Sequence, residues 1–105
     1  MVVKQTHPYM EFCILNYDKY VLSFRYFDKN VYTSDLNWHM DKEDRNIIKI
    51  SGKEYYLQFD NCLPVKLEKD KIYYIPKNTW HRLIKSSNDS CLIMLKKWKK
   101  QWRKK

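Results

Sequence analysis

Glycine is almost missing from this chain, with one in 105 residues, and proline occurs only three times. That scarcity excludes a Gly-rich phosphate loop and argues against disordered or repeat-built architectures. Cysteine is equally sparse. Cys13, Cys62 and Cys91 are odd in number and widely spaced, so neither a disulfide framework nor a CxxC pair for zinc or redox work is available, and all three are expected to be small buried hydrophobes. No run of about 18 apolar residues exists to span a bilayer, and the first twenty residues lack the apolar stretch and cleavage site of a secretory signal; a soluble cytoplasmic protein is expected. A Ser-His-Asp arrangement and a helix-borne metalloprotease motif are absent too. Acidic residues are missing from the last ten positions, which carry seven of the 21 basic groups; residues 1–95 are left with fourteen basic groups against twelve acidic ones, and the formal +9 charge is mostly a property of the tail.

What is abundant points to strands. Nine Tyr, four Trp, four Phe and many Val and Ile suit a pleated surface, and the length allows one domain with one core. Strand-like runs are expected at residues 12–17 and 20–27, separated by a turn at Asp18 and Lys19, and again at 31–33. The runs 46–50 and 54–59 flank Ser51-Gly52, a hairpin signal because Gly supplies positive φ without steric cost. Pro64 makes 63–67 an edge-like strand. Further strands are expected at 72–75, at 79–84 with Thr79, His81 and Leu83 on one face, and at the apolar run 91–95. Lys42-Glu43-Asp44 reads as a solvated loop. Short strands joined by turns give an all-β barrel or sandwich over residues 1–95, followed by a basic tail over 96–105.

The stretch from Asp70 to His81 resembles the second motif of the cupin family: Gly, five residues, Pro, one residue, Gly, two residues, His. Pro76 and His81 match at the right spacing, and Asp70 and Asn78 stand in the glycine positions, where they are the side chains that best tolerate left-handed backbone. The first cupin motif, His-x-His, three or four residues, Glu, six residues, Gly, is similar to His39-Met40-Asp41, Arg45 and Gly52, with Asp41 in place of the second His and Arg45 in place of the Glu. The resemblance covers residues 36–84 and implies a small jelly-roll (double-stranded β-helix) barrel. It further implies a lumenal metal site in which His39 and Asp41, two apart on a strand, meet His81. Two imidazoles and one carboxylate with open positions suit Fe(II) first, then Mn(II), Co(II), Ni(II) or Zn(II). A dioxygenase or isomerase acting on a small anionic molecule follows as the enzymatic expectation. The same triad is similar to that of iron- and 2-oxoglutarate-dependent oxygenases, although no arginine near the chain's end matches their co-substrate anchor.

Arg45 leaves two readings open. As a catalytic or substrate-binding residue it would orient an anionic substrate beside the metal; alternatively it pairs with Asp41, closing a metal-free, non-catalytic barrel that binds a small ligand or an anionic polymer. Trp38, Tyr55 and Tyr74 are candidate pocket aromatics, against the commoner use of strand aromatics in cores. In the tail, Lys96, Lys97, Trp98, Lys99, Lys100, Trp102 and Arg103 interleave cations with indoles, a pattern for nucleic acid or an anionic membrane surface, with Trp98 and Trp102 on one face of a short terminal helix. The alternative is a solvated tail packed on the barrel or a partner. Apolar residues on both faces of 91–95 imply a second covering layer, which in cupins is often another subunit, so a homodimer is expected.

Overall fold

A computed structural model describes residues 2–6 and 8–99. Within the described residues nine strands form two antiparallel sheets: β1 (Val2–Thr6), β2 (Tyr9–Asn16), β3 (Tyr20–Phe27), β4 (Arg45–Ser51), β5 (Tyr55–Phe59), β6 (Val65–Lys66), β7 (Ile72–Ile75), β8 (His81–Lys85) and β9 (Cys91–Trp98). The larger sheet runs β1-β2-β3-β9-β4-β7 and the smaller β6-β5-β8. Among the described residues no helix is long and apolar enough to cross a membrane.

Alternation within strands sets the core. In β9, Cys91, Ile93 and Leu95 are buried while Leu92, Met94 and Lys96 between them are not. Ile47 of β4, Tyr55 and Leu57 of β5, Ile75 of β7 and Phe27 of β3 join them in the core, together with Val31, Leu36 and Leu67 from the connections. Each such aliphatic or aromatic side chain contributes about 1.5–3 kcal/mol by leaving water. The face expected for residues 55, 57 and 59 is observed.

Several expectations are corrected. Gly52 does not make a hairpin, because β4 pairs with β7 and β9 whereas β5 pairs with β6 and β8. It turns the chain from one sheet to the other at φ +112°, so close to β9 that a Cβ would lie 2.6 Å from the Ser90 carbonyl oxygen. Residues 31–33 form no strand; a 3-10 turn occupies Thr33–Asp35, and Lys85 satisfies this segment's backbone by donating to the Lys29 and Val31 carbonyls while Thr33 Oγ1 donates to the Lys85 carbonyl. Cys62 is exposed and Cys13 half-buried, so only Cys91 is a core thiol. The edge strand at 63–67 shrinks to β6, and β8 starts at His81 rather than Thr79. β9, finally, runs to Trp98, which places Lys96, Lys97 and Trp98 inside the sheet, paired with Leu22, Val21 and Tyr20 of β3.

Candidate metal centre

His39, Asp41 and His81 converge, and the backbone explains how. His39 and His81 exchange both N–H···O bonds at 3.0 Å, a one-residue antiparallel bridge beside β8. Asn78 donates its N–H to the Asp41 carbonyl at 2.7 Å, and Lys77 donates its N–H to Asp44 Oδ1 at 2.8 Å. The turn Pro76-Lys77-Asn78 is thereby stapled to residues 41–44. That turn needs left-handed backbone, which Asn78 supplies (φ 57°), and Asp70 does the same (φ 63°) in the turn that leads into β7; these are the two stand-ins for motif glycines.

Asp41 sits at the middle of the cluster. Its Oδ2 lies 3.2 Å from His81 Nε2, and its Oδ1 lies 3.9 Å from His39 Nε2 and 3.2 Å from Arg45 Nη2. One ligand atom from each of the three residues falls within 4.8 Å of the others. Both imidazoles are oriented from behind: His39 Nδ1 lies 2.9 Å from the Asn37 carbonyl oxygen and His81 Nδ1 2.8 Å from that of Thr79. A carbonyl only accepts, so each Nδ1 carries the proton and, in the neutral ring, each Nε2 presents a lone pair to Asp41. Two nitrogen lone pairs facing a carboxylate repel unless a cation or a proton lies between them. Asp41 Oδ2 is accordingly buried without a hydrogen-bond partner. Burial pushes the Asp41 carboxyl up, but positive charge outweighs it, from a proton on His81 Nε2 wherever no cation stands there and from the Arg45 guanidinium, and holds it below the ordinary carboxylate range.

Arg45 is not a free cation. Its Nε and Nη2 donate to Glu43 Oε1 at 2.9 and 2.6 Å while Nη2 also approaches Asp41. Asp41, Glu43 and Arg45 together carry a net single negative charge, so the arginine does not by itself repel a divalent ion. The three donors, their fixed tautomers and the bare Oδ2 fit such an ion. Glu43 was expected in a solvated loop; it buttresses Arg45 instead, and neighbouring Asp44 is buried. A Glu two residues before an Arg, both beside a proposed site, was the signal available.

The site opens on a cavity of about 330 Å³ between the sheets, lined by the cluster, by Arg25 and by apolar residues including Phe27, Ile47, Leu57 and Leu95. The aromatics proposed for this pocket lie elsewhere. Tyr55 is fully buried in the core, its hydroxyl donating to the Asp89 carbonyl at 3.0 Å. Trp38 is 38% exposed and packs against Arg82, and Tyr74 neighbours the lumen-facing Tyr73 and Ile75 but is itself 39% exposed. Alternation in their strands turns Arg82 and Tyr74 away from the lumen.

The described part of the tail is also committed. Lys97 points inward and pairs with Glu11 at 3.0 Å; Lys96 lies over the Tyr20 and Trp98 rings; Trp98 Nε1 donates to Asn46 Oδ1 at 2.8 Å, in a strand rather than a helix. Lys99 Nζ donates to Asn16 Oδ1 at 2.7 Å. Lys100, Trp102 and Arg103 lie outside the described residues.

No protein-family model matches the chain, and no curated protein matches it. Solved structures do. A cupin domain from Bordetella pertussis Tohama I is 14% identical over 91% of this chain and 99% of that one, with a TM-score of 0.68. An RmlC-like cupin with a double-stranded β-helix fold from Methanocaldococcus jannaschii is 14% identical over 93% and 89%, with a TM-score of 0.69. The Fe(II) form of HppE is 9% identical over 91% of this chain and 55% of that one, with a TM-score of 0.74. At such identities the likeness establishes the fold alone.

Proposed function

We propose that this chain, a small protein with the cupin double-stranded β-helix fold, is a cytoplasmic metalloprotein whose lumen holds a divalent cation on His39 Nε2, His81 Nε2 and the Asp41 carboxylate. The observation that carries the reading is the pair of Nδ1–carbonyl contacts, 2.9 and 2.8 Å long, which leave two bare imidazole nitrogens aimed at one carboxylate whose Oδ2 has no hydrogen bond. Fe(II) is the favoured ion because two His and one carboxylate form its usual facial set, with Mn(II), Ni(II) and Zn(II) as alternatives; the Fe(II)-bound HppE neighbour supports that order. Such an ion, when bound, supplies Lewis-acid polarisation of a substrate oxygen or a water made nucleophilic. The chain's own residues do the rest. The apolar wall excludes water from the cavity and receives the body of a small anionic molecule, and Arg45, held by Glu43, fixes the rotamer of Asp41. A metal-dependent dioxygenase or isomerase is the enzymatic form of this reading, and a homodimer through the outer face of the larger sheet is its assembly.

Elemental analysis of untagged protein beside a His81→Ala variant tests the site. Near-stoichiometric metal in the wild type and its loss in the variant are expected; equal metal in both removes the proposal.

The 3.2 Å contact between Asp41 and Arg45 favours a second reading, a non-catalytic barrel in which this pair replaces the ion. It predicts no metal in either protein, with binding of a small ligand or an anionic polymer instead. For a polymer bound by the tail, truncation belongs after Lys99 and not after Leu95, since Lys97 and Trp98 are structural. Salt-sensitive retention on heparin that survives removal of residues 100–105 clears the tail of that role.

A further inference from the structure

We infer that Arg25 anchors the acidic group of the molecule the lumen takes, and that this molecule is a small monocarboxylate with an aliphatic body. The inference rests on reading the lumen as a ligand site but does not require the metal. Arg25 lies on β3 between the inward-facing Ser23 and Phe27 and lines the same cavity as His39, Asp41 and His81. Its guanidinium lies 4.1 Å over the Tyr9 ring, also in the wall, which fixes the plane of the fork. Only Nε is used, donating to Glu11 Oε1 at 2.6 Å; among the described residues the two Nη groups have no hydrogen-bond partner.

Charge distribution supports the same assignment. Glu11 is shared by Arg25 and Lys97, at 2.6 and 3.0 Å, so this trio carries a net single positive charge. The trio of Asp41, Glu43 and Arg45 carries the opposite charge. The two trios meet along the β4–β9 pair, where Arg45 stands opposite Lys97 in register, so the surplus positive charge that suits an anion is local to Arg25 and Lys97. Arg45, the arginine next to the imidazoles, already spends Nε and Nη2 on Glu43 and Asp41, whereas among the described residues Arg25 keeps a pair of N–H donors of the kind that grips a carboxylate bidentately. Elsewhere the wall is mostly apolar, through Ile47, Leu57, Ile75, Leu83, Ile93 and Leu95, with Asp35 and Asn37 also on it, which suits an aliphatic chain better than a polyol.

Calorimetric titration of the full-length protein with hexanoate, acetate and 1-hexanol, in EDTA and again with Mn(II), tests the assignment. Hexanoate is expected to bind at least about tenfold tighter than either comparator, and the double variant Glu11→Gln/Arg25→Gln, which removes one charge of each sign, to lose at least about tenfold for hexanoate. His81→Ala is expected to lose metal yet keep hexanoate, so that failure of the metal centre and failure of the anion anchor are separately visible. Equal affinity for hexanoate and 1-hexanol, or wild-type affinity in the double variant, overturns the inference. Should the double variant fail to fold, the Arg25 side-chain nitrogen resonances of the wild type decide: a shift on adding hexanoate supports the anchor, and unmoved resonances overturn it.

Discussion

Replacing Arg45 with Gln separates the two readings of the lumen by the sign of its interaction with metal. Arg45 Nη2 sits between Asp41 Oδ1 at 3.2 Å and Glu43 Oε1 at 2.6 Å, with side chains 11%, 10% and 25% exposed. Removing the guanidinium strands Asp41, which is too buried to rehydrate, while Glu43 reaches water. Breaking one side of a buried pair costs about 3–5 kcal/mol; with Glu43 partly relieved, the lower end applies. In a domain of this size about 3 kcal/mol lowers the melting temperature by roughly 12–20 °C. A divalent ion at Nε2 of His39 and His81 would supply the missing positive charge and no longer compete with Arg45 for Asp41. The variant is therefore expected to melt far below wild type in EDTA, to recover most of the loss in millimolar Mn(II), and to bind that ion at least about tenfold tighter than wild type, the worth of a charge-assisted hydrogen bond. Melting followed by tryptophan fluorescence, with a competitive chelator titration for affinity, reads both. A variant that melts equally low with and without the ion refutes the argument and leaves the Asp41–Arg45 pair as the reason for the polar lumen.

Glu11 governs the acid limb of stability. Burial pushes its carboxyl up, but hydrogen bonds and charge from Arg25 and Lys97 prevail and lower it below the ordinary value of 4.5. A depressed folded-state value means stability that is present above the unfolded-state pKa and is lost as pH falls through the folded one. Melting temperatures measured from pH 7 to pH 3 should therefore drop less steeply in Glu11→Gln than in wild type, and parallel curves would count against the trio. Alkylation at pH 8 should modify exposed Cys62 and spare Cys91, whose thiol burial pushes up to about 12; intact mass with equal labelling of both would contradict the burial. Gly52→Ala combines a φ of +112° with a 2.6 Å approach to the Ser90 carbonyl and should cost at least about 1–3 kcal/mol in urea unfolding, a near-neutral result showing that the corner can move. Ile72→Asp, on the outer face where Leu22, Ile48 and Met94 line a shallow depression, should convert a dimer to a monomer by light scattering; a wild type already monomeric would dismiss the dimer.

Local patterning made much of the barrel legible. Strand-like runs located 72–75 to the residue, and the apolar run 91–95 marked a strand; that only Cys91, Ile93 and Leu95 of it are buried follows because a strand covered on its inner side must bury every second residue, which a run apolar on both faces does not display. What local patterning could not contain was pairing. Ser51-Gly52 looks like a hairpin because a glycine with positive φ serves a tight turn and a sheet-to-sheet corner equally well; the difference lies in β9, some forty residues away. Likewise the break in composition after Leu95 is a change in solvent exposure, not the end of the strand, since a lysine can occupy a lumen-facing position when a carboxylate such as Glu11 awaits it.

The site shows the same division. His39, Asp41 and His81 were identifiable because motif spacing survives where residue identity does not, and the substitution of Asp70 and Asn78 for glycine costs little when each adopts the left-handed backbone the turn demands. Arg45 leaves two readings open in the sequence because only Asp41 is there to weigh its charge against. Glu43, 2.6 Å away, changes the sum from neutral to negative, and Glu11 with Arg25 and Lys97 does the reverse beside it, Lys97 standing opposite Arg45 in the β4–β9 register. Electrostatic character in a closed sheet belongs to clusters assembled from distant strands, so a residue taken singly from its motif position can suggest the wrong sign. For this chain that sign decides whether an ion or an arginine balances Asp41, and the Arg45→Gln variant is the substitution for which one answer predicts recovery on adding metal and the other predicts none.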